Sequence, residues 1–170
     1  EGGAAYMAAA WGKLTGEPGL CFVTRGPGAT NATVGVHTAM QDSVPMILFV
    51  GQVGTDVKGR EAFQEVDYPA FFGPLAKWAV EIDDVNRVPE LISRAWTVAL
   101  SGRPGPVVVA LPEDMLVATS DVQPSVPVTV PEAGVAPAVA AQMQSMLAAA
   151  DRPVVLLGGA RWTADSARAM

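Results

Sequence analysis

Two glycines near the start of the sequence lie where free backbone N–H groups could bind a ligand. Gly26 and Gly28 lie in FVTRGPGATN, between an apolar run and a stretch with helical spacing. Because free backbone N–H groups at a helix start attract anions, the first hypothesis is a phosphate cradle. Against it, Asn31 stands where a dinucleotide fingerprint has its third glycine, and Pro27 has no N–H to donate. A plain turn between a strand and a helix remains the alternative.

The turn is positioned by alternating strands and helices. Short, nearly continuous apolar runs predict strands at residues 20–24, 46–50, 77–82 and 106–111. Helical spacing predicts helices at residues 4–14, 28–41 and 85–100, and an irregular stretch predicts a long, functional loop at residues 51–73. This alternation predicts an α/β fold in which helices cover both faces of a parallel sheet.

The composition changes after residue 111. Residues 116–136 combine prolines with alternating Val and polar residues, which predicts an extended linker between domains. Residues 137–170 then predict the start of a second α/β unit, with a helix at 138–150 and a strand at 153–158. Because the pattern starts and stops within an alternation of elements, we expect a fragment of a longer protein.

Charge and cysteine content exclude several classes of function. Seventeen acidic against eleven basic residues give a net charge of −6, and the basic residues are scattered, so we expect no nucleic-acid partner. No apolar run reaches the length of a membrane span, so we expect no membrane partner. The single cysteine, Cys21, lies in the apolar run LCFV and is expected to be a core residue. A reducing, cytoplasmic setting fits this content.

Four segments carry a resemblance to one family. In chain order they are EGGAAYMAAAWGKLTG, FVTRGPGATNATVGVHTAMQDSVPMILFVGQV, EAFQEVDY and SGRPGPVVVALPED. Together they resemble the first domain of the thiamine diphosphate-dependent enzymes, most nearly the acetolactate (acetohydroxyacid) synthase group. The resemblance implies that residues 1–115 are a pyrimidine-binding domain lacking its first elements. The second α/β unit would then be the start of that family's middle domain.

The resemblance implies a catalytic role for Glu1. It matches a glutamate that begins a helix and hydrogen-bonds the N1′ atom of the cofactor's aminopyrimidine ring. A carboxyl group in apolar surroundings keeps its proton more readily, so it can donate that proton to the ring. The ring can then take the proton from C2 of the thiazolium. Without the resemblance, an exposed acid at a helix start is the simpler interpretation.

The resemblance also assigns residues to the cofactor and the substrate. The cofactor-binding residues would be Glu1, Thr24, Gly26, Pro27, Gly28 and Asn31. Glycine in this turn permits close approach of the backbone to a flat ring. Phe63 and Gln64 match a pair that reaches the substrate, and an amide such as Gln64 can hydrogen-bond a carboxylate or an enolate oxygen without changing charge. The structural alternative for the turn is a glycine turn with a helix-capping Asn or Thr. The alternative for Phe63 and Gln64 is that they are half-buried and only anchor the loop.

Two departures from the family pattern leave the substrate open. Arg25 stands where serine is usual, and Glu113, in LPED, stands where the synthases often have the lysine of LPKD. That lysine borders the substrate channel. The resemblance therefore implies a transferase or lyase that joins or decarboxylates 2-oxo acids such as pyruvate, without specifying which. The alternatives are another 2-oxo acid decarboxylase or lyase, a non-catalytic binding module and, more weakly, a nucleotide-binding oxidoreductase fragment.

Part of the expected site is missing from the sequence. The family holds Mg²⁺ and the diphosphate through a GDG motif and a later asparagine, and no GDG occurs here. We therefore expect no metal ligands in this chain, with Mg²⁺ held by residues outside it. The resemblance implies an active site between two chains of a homodimer or homotetramer, an inactive isolated fragment, and possible binding of FAD by the middle domain.

Overall fold

The structure is a computed structural model that describes residues 1–126, 128–159 and 161–170. Pro127, in the predicted linker, and Ala160, in the predicted second unit, lie outside the described residues. The α-helices are α1 (Gly2–Thr15), α2 (Pro27–Gln41), α3 (Tyr68–Phe72), α4 (Val88–Leu100), α5 (Glu113–Val117), α6 (Pro137–Ala149) and α7 (Ala164–Ala169). The strands are β1 (Gly19–Val23), β2 (Met46–Gln52), β3 (Trp78–Glu81) and β4 (Pro106–Pro112). A short 3₁₀ turn, Val85–Arg87, precedes α4.

The strands form one parallel sheet in the order β1-β2-β4-β3. The longest register joins β2 to β4, from Met46 opposite Pro106 to Gln52 opposite Pro112. These two central strands are almost wholly buried, as their continuous apolar sequences predict. The predicted parallel sheet is therefore confirmed.

Helices cover both faces of this sheet. On one face, α1, α2 and α3 pack against alternate strand residues that include Met46, Leu48 and Val50. On the other face, α4 packs against the intervening residues, among them Ile47 and Val107. Because successive strand residues point to opposite faces, each apolar run supplies two separate cores. The predicted helices on both faces are confirmed.

Strand β1 is less buried than its apolar sequence predicts. Cys21 is 3% exposed, whereas Leu20 is 47% and Phe22 67% exposed. The cause is that, in the described ranges, the core beneath α4 gathers residues of β2, β3 and β4 but none of β1, so this face of the edge strand is left largely uncovered. Phe22 is partly covered by stacking on Phe49, with 4.4 Å between ring centroids. The prediction of a core cysteine is confirmed, and burial raises the pKa of the Cys21 thiol.

Helices α1 and α2 approach each other closely because small residues line their contact. A Cβ atom at Gly35 would lie 2.5 Å from the Cβ of Ala5 and 2.7 Å from its carbonyl carbon. Real side chains do not tolerate such distances, so only glycine fits at position 35. The alanine-rich sequence of α1 thus sets the spacing between the two helices whose first turns meet at the site described below.

The last third of the chain differs in part from its prediction. Helix α6 confirms the predicted helix at 138–150, but the described residues of the predicted strand at 153–158 form no strand. Val154 and Leu156 are exposed there, because the part of the chain that the structure describes offers this segment no neighbouring strand. Within the same described ranges, no helix combines the length and the apolar character needed to cross a membrane.

Candidate active site

The residues that could do chemistry gather at one edge of the sheet. The turn after β1, the loop after β2 and the start of α5 after β4 all follow the carboxyl ends of parallel strands. In open α/β sheets, ligands bind in the crevice outside these carboxyl ends. The topology alone therefore marks this edge as the candidate site.

The structure brings Glu1 and Asn31 together. Glu1 immediately precedes α1, and Asn31 lies near the start of α2. The Nδ2 atom of Asn31 donates a hydrogen bond to Oε2 of Glu1 over 3.3 Å. Both residues are exposed, so the apolar surroundings expected for Glu1 are not supplied by the described part of the chain. The carboxylate is oriented by the amide and remains accessible.

The backbone donors of the glycine turn are already occupied. The N–H of Gly26 donates to the hydroxyl of Tyr68 over 2.8 Å, and the N–H of Gly28 donates to the carbonyl of Arg25 over 3.0 Å. Pro27 has no N–H and takes the first helical position of α2, where its fixed φ suits the helix. The N–H groups of the two glycines are therefore not free to bind a phosphate.

Gly26 allows the turn to contact the long loop. Its φ is +33°, and a Cβ atom there would lie 3.0 Å from both the Cβ and the carbonyl oxygen of Gln64. Gln64 itself has a φ of +67°, which is uncommon for a residue with a side chain. Such strain is typical of functional sites and persists only where the surroundings enforce it. Two of the predicted site residues are thus in direct contact.

Polar side chains hold the loop in this conformation. The carboxylate of Glu65 accepts hydrogen bonds from the N–H groups of Gly59, at 2.7 Å, and Ala62, at 3.2 Å. The buried amide of Gln52 donates to the carbonyl of Val66 over 2.8 Å. Phe63 is 81% exposed, whereas Gln64 is half-buried. The loop therefore presents Phe63 outward while its backbone is fixed next to the turn.

The remaining predicted residues surround the same turn. Thr24 and Pro27 are exposed, and Gly26 and Gly28 are buried. The turn thus presents two small exposed side chains on a buried glycine backbone. The Glu1 carboxylate lies at the same end of α2, where it accepts the hydrogen bond from Asn31.

Sequence reasoning did not assign a role to Tyr68, which fixes the turn. Its side chain is fully buried, and its hydroxyl accepts from the N–H of Gly26 and donates to the carbonyl of Gly51 over 3.1 Å. Burial raises the pKa of the Tyr68 phenol, against the smaller effect of the hydrogen bond from Gly26. The signal available in the sequence was its place at the end of EAFQEVDY. Its two hydrogen-bond partners are 42 and 17 positions away, so no local pattern could indicate these contacts.

Further contacts join loops across the end of β2. Arg25 Nη1 donates to Glu113 Oε2 over 3.0 Å. Beside this pair, Asp114 accepts from the N–H of Thr55 over 3.1 Å and from its hydroxyl. These hydrogen bonds, that of the hydroxyl first, lower the pKa of the Asp114 carboxyl. The two departures from the family pattern, at Arg25 and Glu113, are therefore one ion pair.

In the described ranges, no group of three or more His, Cys, Asp or Glu side chains is arranged to hold a metal ion. The acidic residues at the site edge are engaged instead by Arg25, by Asn31 and by Thr55.

Comparison with known proteins shows which family this sequence resembles. The family described as "Thiamine pyrophosphate enzyme, N-terminal TPP binding domain" matches residues 1–71. The large subunit of acetolactate synthase isozyme 2 from Escherichia coli (strain K12) is 37% identical over 159 residues, which are 94% of this chain and 29% of that protein. For the large subunit of isozyme 3 from the same organism, the identity is 38% over 170 residues, covering 96% of this chain and 30% of that protein.

A eukaryotic relative matches a shorter stretch. The mitochondrial acetolactate synthase catalytic subunit of Saccharomyces cerevisiae (strain ATCC 204508 / S288c) is 43% identical over 118 residues, which are 69% of this chain and 17% of that protein. The chain thus spans less than a third of the length of these relatives.

The fold, the site and these matches define a domain of the thiamine pyrophosphate (thiamine diphosphate) enzymes, and the chain belongs to that family. Within the family it is acetolactate synthase-like, and it carries the domain that binds the cofactor.

Proposed function

We propose that the full-length protein uses thiamine diphosphate to join or decarboxylate 2-oxo acids such as pyruvate, as a transferase or lyase of the acetolactate synthase type. The observation that carries this proposal is the Glu1–Asn31 contact of 3.3 Å at the carboxyl edge of the sheet. It places an acid, oriented by a neutral amide, at the same end of α2 as the turn that contains Gly26 and Gly28. When bound, thiamine diphosphate supplies a carbon nucleophile that adds to the keto group of the substrate.

Glu1 would act as the acid that hydrogen-bonds the ring nitrogen N1′. Asn31 engages only Oε2 of the carboxylate, so Oε1 remains for the ring. Because the Asn31 amide is neutral, it can orient the Glu1 side chain without adding a charge to the site.

The glycine turn and the long loop would bind the two reactants. Thr24, Gly26, Pro27 and Gly28 would contact the flat face of the aminopyrimidine, which the small side chains of this turn allow. Gln64 would hydrogen-bond the substrate carboxylate or an enolate oxygen, and Phe63 would contact its apolar part. The left-handed φ of Gln64 supports this proposal, because strained residues of this kind concentrate at ligand sites.

The rest of the site would come from a second chain. Residues outside this chain would hold Mg²⁺ and the diphosphate, and the exposed carboxylate of Glu1 supports a site that a partner subunit covers. We propose a homodimer or homotetramer, and we expect the isolated chain to be inactive. FAD would belong to the middle domain. A cytoplasmic location suits the single, buried cysteine.

The Arg25–Glu113 ion pair favours a second candidate, another thiamine diphosphate-dependent decarboxylase or lyase. Where the synthases often have a lysine, this chain has a carboxylate paired to Arg25, so the charge at the channel differs. Identification of the product formed from pyruvate distinguishes the candidates, because acetolactate requires carboligation whereas acetaldehyde indicates simple decarboxylation.

Substitution of Glu1 tests the proposal. In the full-length protein, Glu1→Gln should lower the rate of pyruvate turnover at least about 10²-fold, since it removes an acid–base group from the reaction. Glu17→Gln is the matched control, because Glu17 is also exposed but lies beyond the opposite end of α1. Thiamine diphosphate binding is measured in parallel by calorimetry. Unchanged turnover in Glu1→Gln would remove Glu1 from the mechanism, and binding without turnover in the wild type would indicate a binding module.

A further inference from the structure

Tyr68 joins two parts of the candidate site through one buried hydroxyl. It accepts from Gly26 in the turn after β1 and donates to Gly51 near the end of β2, at 2.8 and 3.1 Å. Gly26 follows the carboxyl end of β1, and Gly51 lies near the carboxyl end of β2. Tyr68 reaches both residues from the start of α3. The hydroxyl thus links the backbone of the turn to the backbone of the neighbouring strand.

The aromatic ring and the hydroxyl do different things. The ring packs in the core beside Phe72, with 6.3 Å between ring centroids, and a phenylalanine ring would fill the same space. The hydroxyl adds no core volume but satisfies one donor and one acceptor of the backbone. Gly26 is buried, so loss of the hydroxyl would leave its N–H without this partner. A requirement for tyrosine rather than phenylalanine therefore concerns the turn and not the core.

The same segment also sets the position of Gln64. Gln64 lies four residues before Tyr68, and its Cβ and carbonyl oxygen are against Gly26. Asp67 caps α3 by accepting from the N–H of Ala70 over 3.0 Å, which fixes the helix start that carries Tyr68. A shift of the Gly26 turn would consequently move its contact with Gln64 as well.

We propose that Tyr68 is a positioning residue, whose hydroxyl holds the Gly26 turn in the conformation that binds the aminopyrimidine of thiamine diphosphate. This inference rests on the proposed function, since the turn is the proposed wall of the cofactor site. Tyr68 is buried beneath the turn and acts through Gly26 rather than on the cofactor. Burial also keeps the phenol protonated, which donation to Gly51 requires.

Tyr68→Phe in the full-length protein tests the inference. Thiamine diphosphate is titrated calorimetrically in the presence of Mg²⁺, and thermal melting is recorded in the same buffer. We expect roughly a tenfold rise in Kd, as for loss of a partner to a buried backbone donor. Tyr6→Phe is the matched control, because Tyr6 is half-exposed on α1, and it should bind as the wild type does.

A second control separates positioning from stability. Phe72→Leu weakens the same core without touching Gly26 or Gly51, so it should lower Tm and leave the Kd unchanged. If Tyr68→Phe lowers Tm but binds thiamine diphosphate like the wild type, Tyr68 is only a core residue and the inference fails. If the wild type does not bind thiamine diphosphate, the proposed function fails instead, and this inference with it.

Hydrogen exchange keeps the inference testable if Tyr68→Phe does not fold. In the wild-type protein, the amide of Gly26 should exchange more slowly than an unstructured peptide amide, because its N–H is held by the buried hydroxyl. Exchange of Gly26 at the unstructured rate would show that Tyr68 does not hold the turn, and would overturn the inference.

Discussion

The guanidinium of Arg25 lies 3.0 Å from the carboxylate of Glu113, although the two residues are 88 positions apart in the sequence. Arg25 follows β1 and Glu113 follows β4, and β2 lies between these strands in the sheet. The pair therefore spans the carboxyl end of β2, next to the proposed cofactor site. Its side chains are 28% and 63% exposed, so solvent screening limits its strength.

We expect the two charges to be coupled. Glu113→Lys places a second cation beside Arg25 and should lower the free energy of unfolding by about 1 kcal/mol, whereas Arg25→Ser/Glu113→Lys should recover most of that loss. The measurement is urea unfolding of the full-length variants, with thiamine diphosphate affinity recorded for each.

The control is a charge reversal at an ion pair away from the site. Asp42→Lys faces Lys13, whose Nζ lies 2.7 Å from Asp42, and it should lower stability to a similar degree without changing cofactor affinity. Additive effects of the substitutions at positions 25 and 113 would show that the ion pair contributes nothing to stability.

The contact between α1 and α2 predicts opposite effects for two glycine substitutions. Gly35→Ala forces a Cβ to within 2.5 Å of Ala5 and should lower the free energy of unfolding by about 1–3 kcal/mol. Gly3→Ala, on the exposed side of α1 with open space around its Cβ, should be neutral or stabilise by up to about 1 kcal/mol. Thermal melting of both variants measures this, and equal effects would contradict the packing described.

Tyr68 predicts a loss of stability at alkaline pH. Burial raises its pKa above the ordinary value of 10.0, so the folded state retains a proton that the unfolded state releases. Its contribution is fully present below about pH 10 and is lost as the pH rises through the folded pKa. Lys77 acts in the opposite direction, since burial lowers its pKa, so the comparison is made between wild type and Tyr68→Phe. Urea midpoints should fall more steeply with pH in the wild type, and parallel curves would refute the prediction.

Local patterns were sufficient for most of the fold. Apolar runs predicted the four strands of the sheet, and helical spacing predicted α1, α2, α4 and α6 within a few residues. Short-range preferences determine these elements, so one stretch of sequence is enough to find each. The strand predicted at 153–158 failed because strand formation needs a partner strand, which a local pattern does not supply.

The sequence by itself determined the chemical types at the site, namely the acid Glu1, the glycines of the turn and the amides of Asn31 and Gln64. Only the tertiary structure decided which groups meet. The packing of α4 over the other strands leaves one face of β1 exposed, Tyr68 occupies the N–H of Gly26, and the strand order brings Arg25 to Glu113. These contacts join segments far apart in the chain, and the order of strands in a sheet follows from the packing of the whole domain rather than from any local stretch.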